Sequence, residues 1–129
     1  MTKQITRQQL SAALVERHGQ ERQQHLYTAS VGIAGLGGLG SNIAVQLTRL
    51  GIGHLIIADC DRVEISNLNR QSYRLCDIGR PKPEALTEQL LQINPYLYYE
   101  PHFLKLTQQN IPEIFAGCNI ICEAFDDPE

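Results

Sequence analysis

Apolar positions along the chain fall into two rhythms, one helical and one of short unbroken runs. In residues 6–17, Leu10, Ala13, Leu14 and Arg17 recur at helical spacing until Gly19 stops the pattern, and a second short helix is predicted over 20–27. Ser30 to Ala34 reads as a buried strand, followed by a glycine-rich loop over 35–40. Ser41 to Leu50 sets Ile43, Ala44, Leu47 and Leu50 on one helical face and ends at Gly51. His54 to Ala58 is a second apolar run. Residues 83–93 predict a helix opened by Pro83, with Leu86, Leu90, Leu91 and Ile93 facing the core. Tyr96 to Glu100 is a strand candidate with weaker alternation, 110–116 a short helix, and Asn119 to Ala124 a buried strand ending at Phe125-Asp126-Asp127. Strands alternate with helices, and the strands are continuously apolar, as in a parallel sheet covered on both faces.

The length of 129 residues allows one domain with a real core, and 43% hydrophobic residues fits a globular chain. A formal charge of −3 with no basic stripe argues against a nucleic-acid binder. The N-terminal MTKQITRQQL lacks a signal-peptide core, and no apolar run approaches a membrane span, so the chain reads as cytoplasmic. Cys60, Cys76, Cys118 and Cys122 form no CxxC pair and read as incidental thiols rather than a zinc site. His18, His25, His54 and His102 have no catalytic or metal-binding spacing. Tyr96, Tyr98 and Tyr99 read as strand packing rather than base stacking.

The chemistry begins at SVGIAGLGGLGSN. Gly35, Gly37 and Gly40 stand in G-x-G-x-x-G register, with Gly38 between them, after a strand and before a helix. Such glycines let the backbone turn sharply and approach a phosphate, and the helix that follows presents unpaired N–H groups. Asp59 lies 19 residues after Gly40, at the end of the next strand, where a carboxylate can accept bonds from ribose hydroxyls. The architecture implied is α/β and Rossmann-like: a helical segment over 1–27, then a nucleotide-binding domain over 28–129. A doubly wound sheet normally adds strands beyond this point, so a longer full product, or a fragment, is expected. The loop alone fits NAD, FAD, SAM or ATP.

Beyond Asp59 the pattern departs from a dehydrogenase. Asp61, Asn67, Arg70 and Gln71 follow, and then IGRPKPEA sets Lys82 between Pro81 and Pro83. Two prolines stiffen the approach to the helix. An arginine and a rigid lysine near the glycine loop suit a triphosphate that loses pyrophosphate, because charge builds on the leaving group.

GLGGLGSN, the DxDxVExSNLNRQ run from Asp59 to Gln71, IGRPKPEA and the AFDD end together resemble the ThiF/MoeB/HesA family, which includes the activating enzymes of ubiquitin and of ubiquitin-like sulfur carriers. The resemblance covers about residues 28–128 with four motifs in order, and it is most like a ThiF-type protein of thiamine biosynthesis. It implies ATP-dependent adenylation of the C-terminal glycine carboxylate of a small ubiquitin-like sulfur-carrier protein ending in Gly-Gly. Asp59 would hold the ribose, Asn67, Arg70 and Lys82 the phosphates, and Asp126 a Mg2+ ion, a hard cation suited to oxygen ligands. Asp127 stands where the family often has Asn, an extra charge that would alter metal binding. The family's sulfur-transfer cysteine, where present, would lie beyond residue 129. The resemblance also implies a homodimer in which an N-terminal arginine crosses to the partner's site. Arg7 is the best match, and Arg17 is the second candidate.

Two other classes compete: an NAD-dependent oxidoreductase sharing the loop, and a non-catalytic module that binds a ubiquitin-like protein. Hydride transfer has no use for Asn67, Arg70 and Lys82, and intact motifs argue against a degenerate module.

Overall fold

The apolar runs become four parallel strands. The computed structural model describes residues 4–125, and its sheet has the order β3-β2-β1-β4, with β1 at Ser30–Ala34, β2 at His54–Asp59, β3 at Tyr98–Phe103 and β4 at Ile120–Glu123. Helices α1 (Arg7–His18) and α2 (Gln20–Thr28) precede the sheet; α3 (Gly38–Leu50), α4 (Lys82–Ile93) and the short α5 (Ile111–Ile114) connect the strands. All three pairings are parallel.

Right-handed crossovers dictate where the helices lie. The steps β1–α3–β2 and β2–α4–β3 run the same way across the sheet and put α3 and α4 on one face. The return from β3 through α5 to β4 runs the other way and puts α5 on the opposite face. Alternation along the strands follows. Val31, Ile33, Leu55 and Ile57 pack with Ala44, Leu86 and Leu90 in one core cluster, while Ala34, Ile56 and Ala58 pack with Phe115 in a second. The second layer is thin. Phe115 lies so close on Gly32 that a Cβ there would fall 2.4 Å from its ring.

The helical caps follow the sequence. Thr6 accepts a bond from the Gln9 N–H, and Gln9 accepts one from the Thr6 N–H, which closes α1 at its start. Gly51, at φ 90°, ends α3 in the left-handed conformation. Some expectations are corrected. The third strand begins at Tyr98 rather than Tyr96 and reaches Phe103 across Pro101. Tyr98 donates to the Gly53 carbonyl and Leu104 to that of Asp59, so the intervening Pro101 nitrogen faces away from β2, where an edge strand tolerates it. Leu91 and Leu50 are exposed, because the sheet accepts a narrower helical stripe than the sequence offers. Helix α1 buries no residue fully; it rests on α2 rather than on the sheet. No helix among the described residues is long and apolar enough to cross a membrane.

β1 and β4 are neighbours, yet the chain leaves β1 towards β2 on one side and returns from β3 to enter β4 on the other. The crevice between their carboxyl ends is where a doubly wound sheet binds ligands, and the glycine loop opens into it.

Candidate nucleotide site

The glycine loop folds as it does because no side chain fits. Gly35 has φ 97°, and a Cβ there would stand 2.7 Å from the Ala124 carbonyl oxygen; one on Gly40 would stand 1.8 Å from the Gly35 oxygen. The loop is anchored from below. Gly35 N–H donates to the Ala58 carbonyl at 2.9 Å, and Leu36 N–H donates to Asp59 Oδ2 at 2.7 Å. The first bond of α3 runs from Ser41 N–H to the Gly37 carbonyl. The N–H groups of Gly38, Leu39 and Gly40 therefore have no acceptor within the helix, and they sit at its positive end.

A cleft of about 310 Å³ opens above this loop, lined by Gly35, Gly37, Asp59, Cys60, Asp61 and Lys82, and by Lys105, Leu106, Ala124 and Phe125. Four residues expected from the sequence thus meet in one place: Gly35, Gly37, Asp59 and Lys82. A smaller hollow of about 230 Å³ lies between α1, α2 and the turn at Asn94–Leu97, at the other end of the strands and away from these groups.

Lys82 is 4% exposed. No hydrogen bond or ion pair reaches its ammonium among the described residues; it lies over the face of the Tyr73 ring, 5.9 Å from the centroid. The stem is buried while the side chain opens on the cleft, so an anion there would meet a cation not paired with a carboxylate among the described residues. The backbone holds Lys82 firmly: its N–H donates to the Asp61 carbonyl, Gly79 N–H donates to the Val63 carbonyl, Val63 N–H donates to the Arg80 carbonyl, and Arg62 pairs with Pro81.

Behind this segment stands a charged cluster that sequence reasoning missed. The Asp77 carboxylate is fully buried and accepts from Arg74 N–H, Nε and Nη2 at 2.8, 3.1 and 3.2 Å and from Arg80 Nη1 at 3.2 Å. Burial alone would raise its pKa; the Arg74 hydrogen bonds and the charges of Arg74 and Arg80 outweigh that and hold it below the ordinary carboxylate value. Both arginines continue to Glu88 on α4. The four-residue spacing of Arg80 and Glu84 was the one visible sign.

The other expected residues stand apart from the cleft floor. Arg70 is exposed, with its aliphatic stem against Gly38 and its guanidinium donating to the Ser66 carbonyl and to Asn69. Asn67 is buried, and its side-chain oxygen accepts from the Glu64 N–H, which folds the tight turn at Ile65–Asn67. Asn42 ties the Arg70 carbonyl to α3, and Ser41 holds the Ser72 N–H. Arg7 lies at the opposite end of the sheet, over the Tyr27 ring and donating to its hydroxyl. Asp126 and Asp127 lie outside the described residues.

Both Asp59 oxygens already accept backbone N–H bonds, from Leu36 and from Asp61. Lone pairs remain for ribose hydroxyls, so the carboxylate can serve loop and ligand together. Asp59→Ala is accordingly expected to weaken binding of a nucleotide in the cleft, and also to lower stability by about 1–3 kcal/mol through the orphaned Leu36 N–H. Calorimetric titration with nucleotides and denaturant melts on one preparation check both.

A metal fits less readily among the described residues. Asp59, Cys60 and Asp61 bring three ligand atoms within 4.8 Å of one another. The thiol is a poor ligand for a hard cation, and burial, then Asp61 and Asp59, push its pKa up and keep it protonated.

Known proteins resemble this chain in sequence and in fold. Over 116 residues the chain is 39% identical to the adenylyltransferase and sulfurtransferase uba4 of Aspergillus terreus, covering 89% of this chain and 24% of that protein. It is 36% identical over 110 residues to the sulfur carrier protein adenylyltransferase of Thermus thermophilus, covering 84% and 41%. The chain therefore spans less than half the length of either relative. Among solved structures, the Escherichia coli tRNA N6-threonylcarbamoyladenosine dehydratase TcdA in complex with ATP superposes with a TM-score of 0.87 at 29% identity, over 97% of this chain and 53% of that one. The same enzyme in complex with AMP gives 0.87 at 27% identity. A family model described as ThiF matches residues 8–129, and with the glycine loop, Asp59 and Lys82 gathered at the sheet's switch point, the chain belongs to the ThiF family.

Proposed function

We propose that this chain is the nucleotide-binding part of an ATP-dependent adenylyltransferase that activates the C-terminal carboxylate of a ubiquitin-like sulfur-carrier protein. The observation that carries the reading is Lys82: a largely buried lysine that lines the cleft, without a carboxylate partner among the described residues, held on a proline-stiffened segment beside a phosphate-type loop. The loop and the amino end of α3 cradle the phosphates, and Asp59 orients the ribose. The carrier's terminal glycine carboxylate attacks the α-phosphorus; the bond to the β-phosphate oxygen breaks, pyrophosphate leaves, and an acyl-adenylate remains. Lys82 and, at the rim, Arg70 stabilise the charge that moves onto the leaving group. Asn67 contributes by shaping the turn that presents Arg70. Mg2+ would be held at Asp126 and would offset phosphate charge when bound.

Thiamine biosynthesis, with a carrier ending in Gly-Gly, is the narrower reading. The names of relatives allow others: one is a tRNA dehydratase, another a SAMP-activating enzyme E1 of Haloferax volcanii. The test is ATP–pyrophosphate exchange by the full-length protein with candidate carriers, measured with and without their last two residues. Exchange with no carrier dependence, or stabilisation in a thermal melt by NAD and not by ATP, overturns the reading.

Arg7 bears on assembly. A strand of five residues spans roughly 17 Å, so an arginine at the foot of β1 serves a cleft only if that cleft belongs to another copy. We read the working unit as a symmetric homodimer in which Arg7, or Arg17, crosses over. Sedimentation of the full-length protein is expected to give a dimer. A fully active monomer at high concentration refutes the crossing.

A further inference from the structure

Tyr73 takes no part in the roles assigned above, yet it touches two of their principal parts. Its side chain is 6% exposed. Its hydroxyl donates to the Leu36 carbonyl at 2.7 Å, and its ring carries the Lys82 ammonium at 5.9 Å. The phenol stays a donor throughout the working range, because burial, then Asp59 and Asp77, push its pKa well above the ordinary value.

The bond to Leu36 has a directional consequence. A trans peptide is planar, and its N–H points opposite to its C=O. The Leu36 carbonyl and the Gly37 N–H belong to one such unit. Drawing the carbonyl down onto Tyr73 turns the Gly37 N–H the other way, towards the cleft that Gly37 lines. Asp59 holds the other side of Leu36 through its N–H, so the residue is fixed from both ends. The π face meanwhile gives Lys82 a seat that attracts the cation without neutralising it, as a carboxylate would. The charge stays available to an incoming anion.

We propose that Tyr73 is a positioning residue that couples the glycine loop to Lys82, aiming the Gly37 N–H and the Lys82 ammonium at the same phosphate chain. This rests on the nucleotide reading given above and goes beyond the motif residues.

The test uses full-length protein and two substitutions. Tyr73→Phe removes only the hydroxyl and keeps the ring. It is expected to weaken ATP binding, measured by calorimetry, and to raise the Michaelis constant about tenfold, with kcat little changed. Tyr73→Leu also removes the seat of Lys82, so kcat falls further by about tenfold. That extra loss is expected to vanish in a Lys82→Ala background, where the ring has nothing left to position. Unchanged ATP affinity in Tyr73→Phe overturns the proposal, and so does a Tyr73→Leu loss that persists in full beside Lys82→Ala. If Tyr73→Leu fails to fold, the Phe variant decides alone. Wild-type protein that binds ATP but exchanges no pyrophosphate, with a binding defect in Tyr73→Phe, supports the coupling and overturns the reaction instead. Wild-type protein that does not bind ATP overturns both.

Discussion

Replacing Lys82 by alanine is expected to reduce carrier-dependent ATP–pyrophosphate exchange about a hundredfold or more, equivalent to about 3 kcal/mol of transition-state stabilisation. The size follows from burial. Lys82 is 4% exposed as a residue and opens only on the cleft, so a ligand bound there would meet its charge with little screening by water. Charge on the departing pyrophosphate is greater in the transition state than in bound ATP, so kcat falls more than the Michaelis constant rises. Arg70→Ala is expected to cost less, about tenfold, because that guanidinium is exposed and already shared between Ser66 and Asn69. Normal exchange by the full-length Lys82→Ala protein would show that this lysine is structural and that another group carries the charge.

The largest effect on stability is expected at Asp77. Its buried carboxylate joins two arginines of the crossover segment, and these reach Glu88 on α4. Truncating one member leaves the others uncompensated, so Asp77→Ala is expected to cost about 3 kcal/mol. The sign of the pH dependence is fixed by the direction of the shift. The folded pKa lies below the ordinary carboxylate value near 4. Between those two values the unfolded chain binds more protons than the folded one, so stability rises with pH across that window. The contribution is full above about pH 4 and is lost as pH falls through the folded pKa. Denaturant melts from neutral to acid pH should show the gap between wild type and Asp77→Asn closing as the pH drops. A gap that stays constant to the acid limit would mean that Asp77 contributes shape rather than charge.

Much of this was legible in the sequence, for identifiable reasons. β1 and β2 are unbroken apolar runs with glycine at their ends, and a doubly covered strand has no other simple pattern. Gly35, Gly37, Asp59 and Lys82 could be placed together because a strand, a turn and a helix fix their separation along the sheet. The segment between Asp59 and α4 could not be read in the same way. It is built from single tight turns, where a side chain's partner depends on what the chain packs against. Hence Asn67, a polar residue in a motif, folds into a cap, while Tyr73 and Asp77, which carried no signal of their own, tie down the glycine loop and the crossover segment respectively. Leu91 misled because helical spacing shows which face is apolar but not how wide a stripe the sheet accepts.

Pro101 makes the two rims of the sheet unequal. On the outer side of β3 the middle donor is missing, so a foreign strand finds a ladder with a broken rung, and a prolonged register there is blocked. β4 has no such interruption, and Ile120 and Ile121 stand open beside it. Any strand that joins this sheet, from the same polypeptide or from another, is thereby steered to one flank. Among the described residues, one flank of the sheet thus discourages edge-to-edge pairing, while the flank nearest the nucleotide crevice can accept a neighbour.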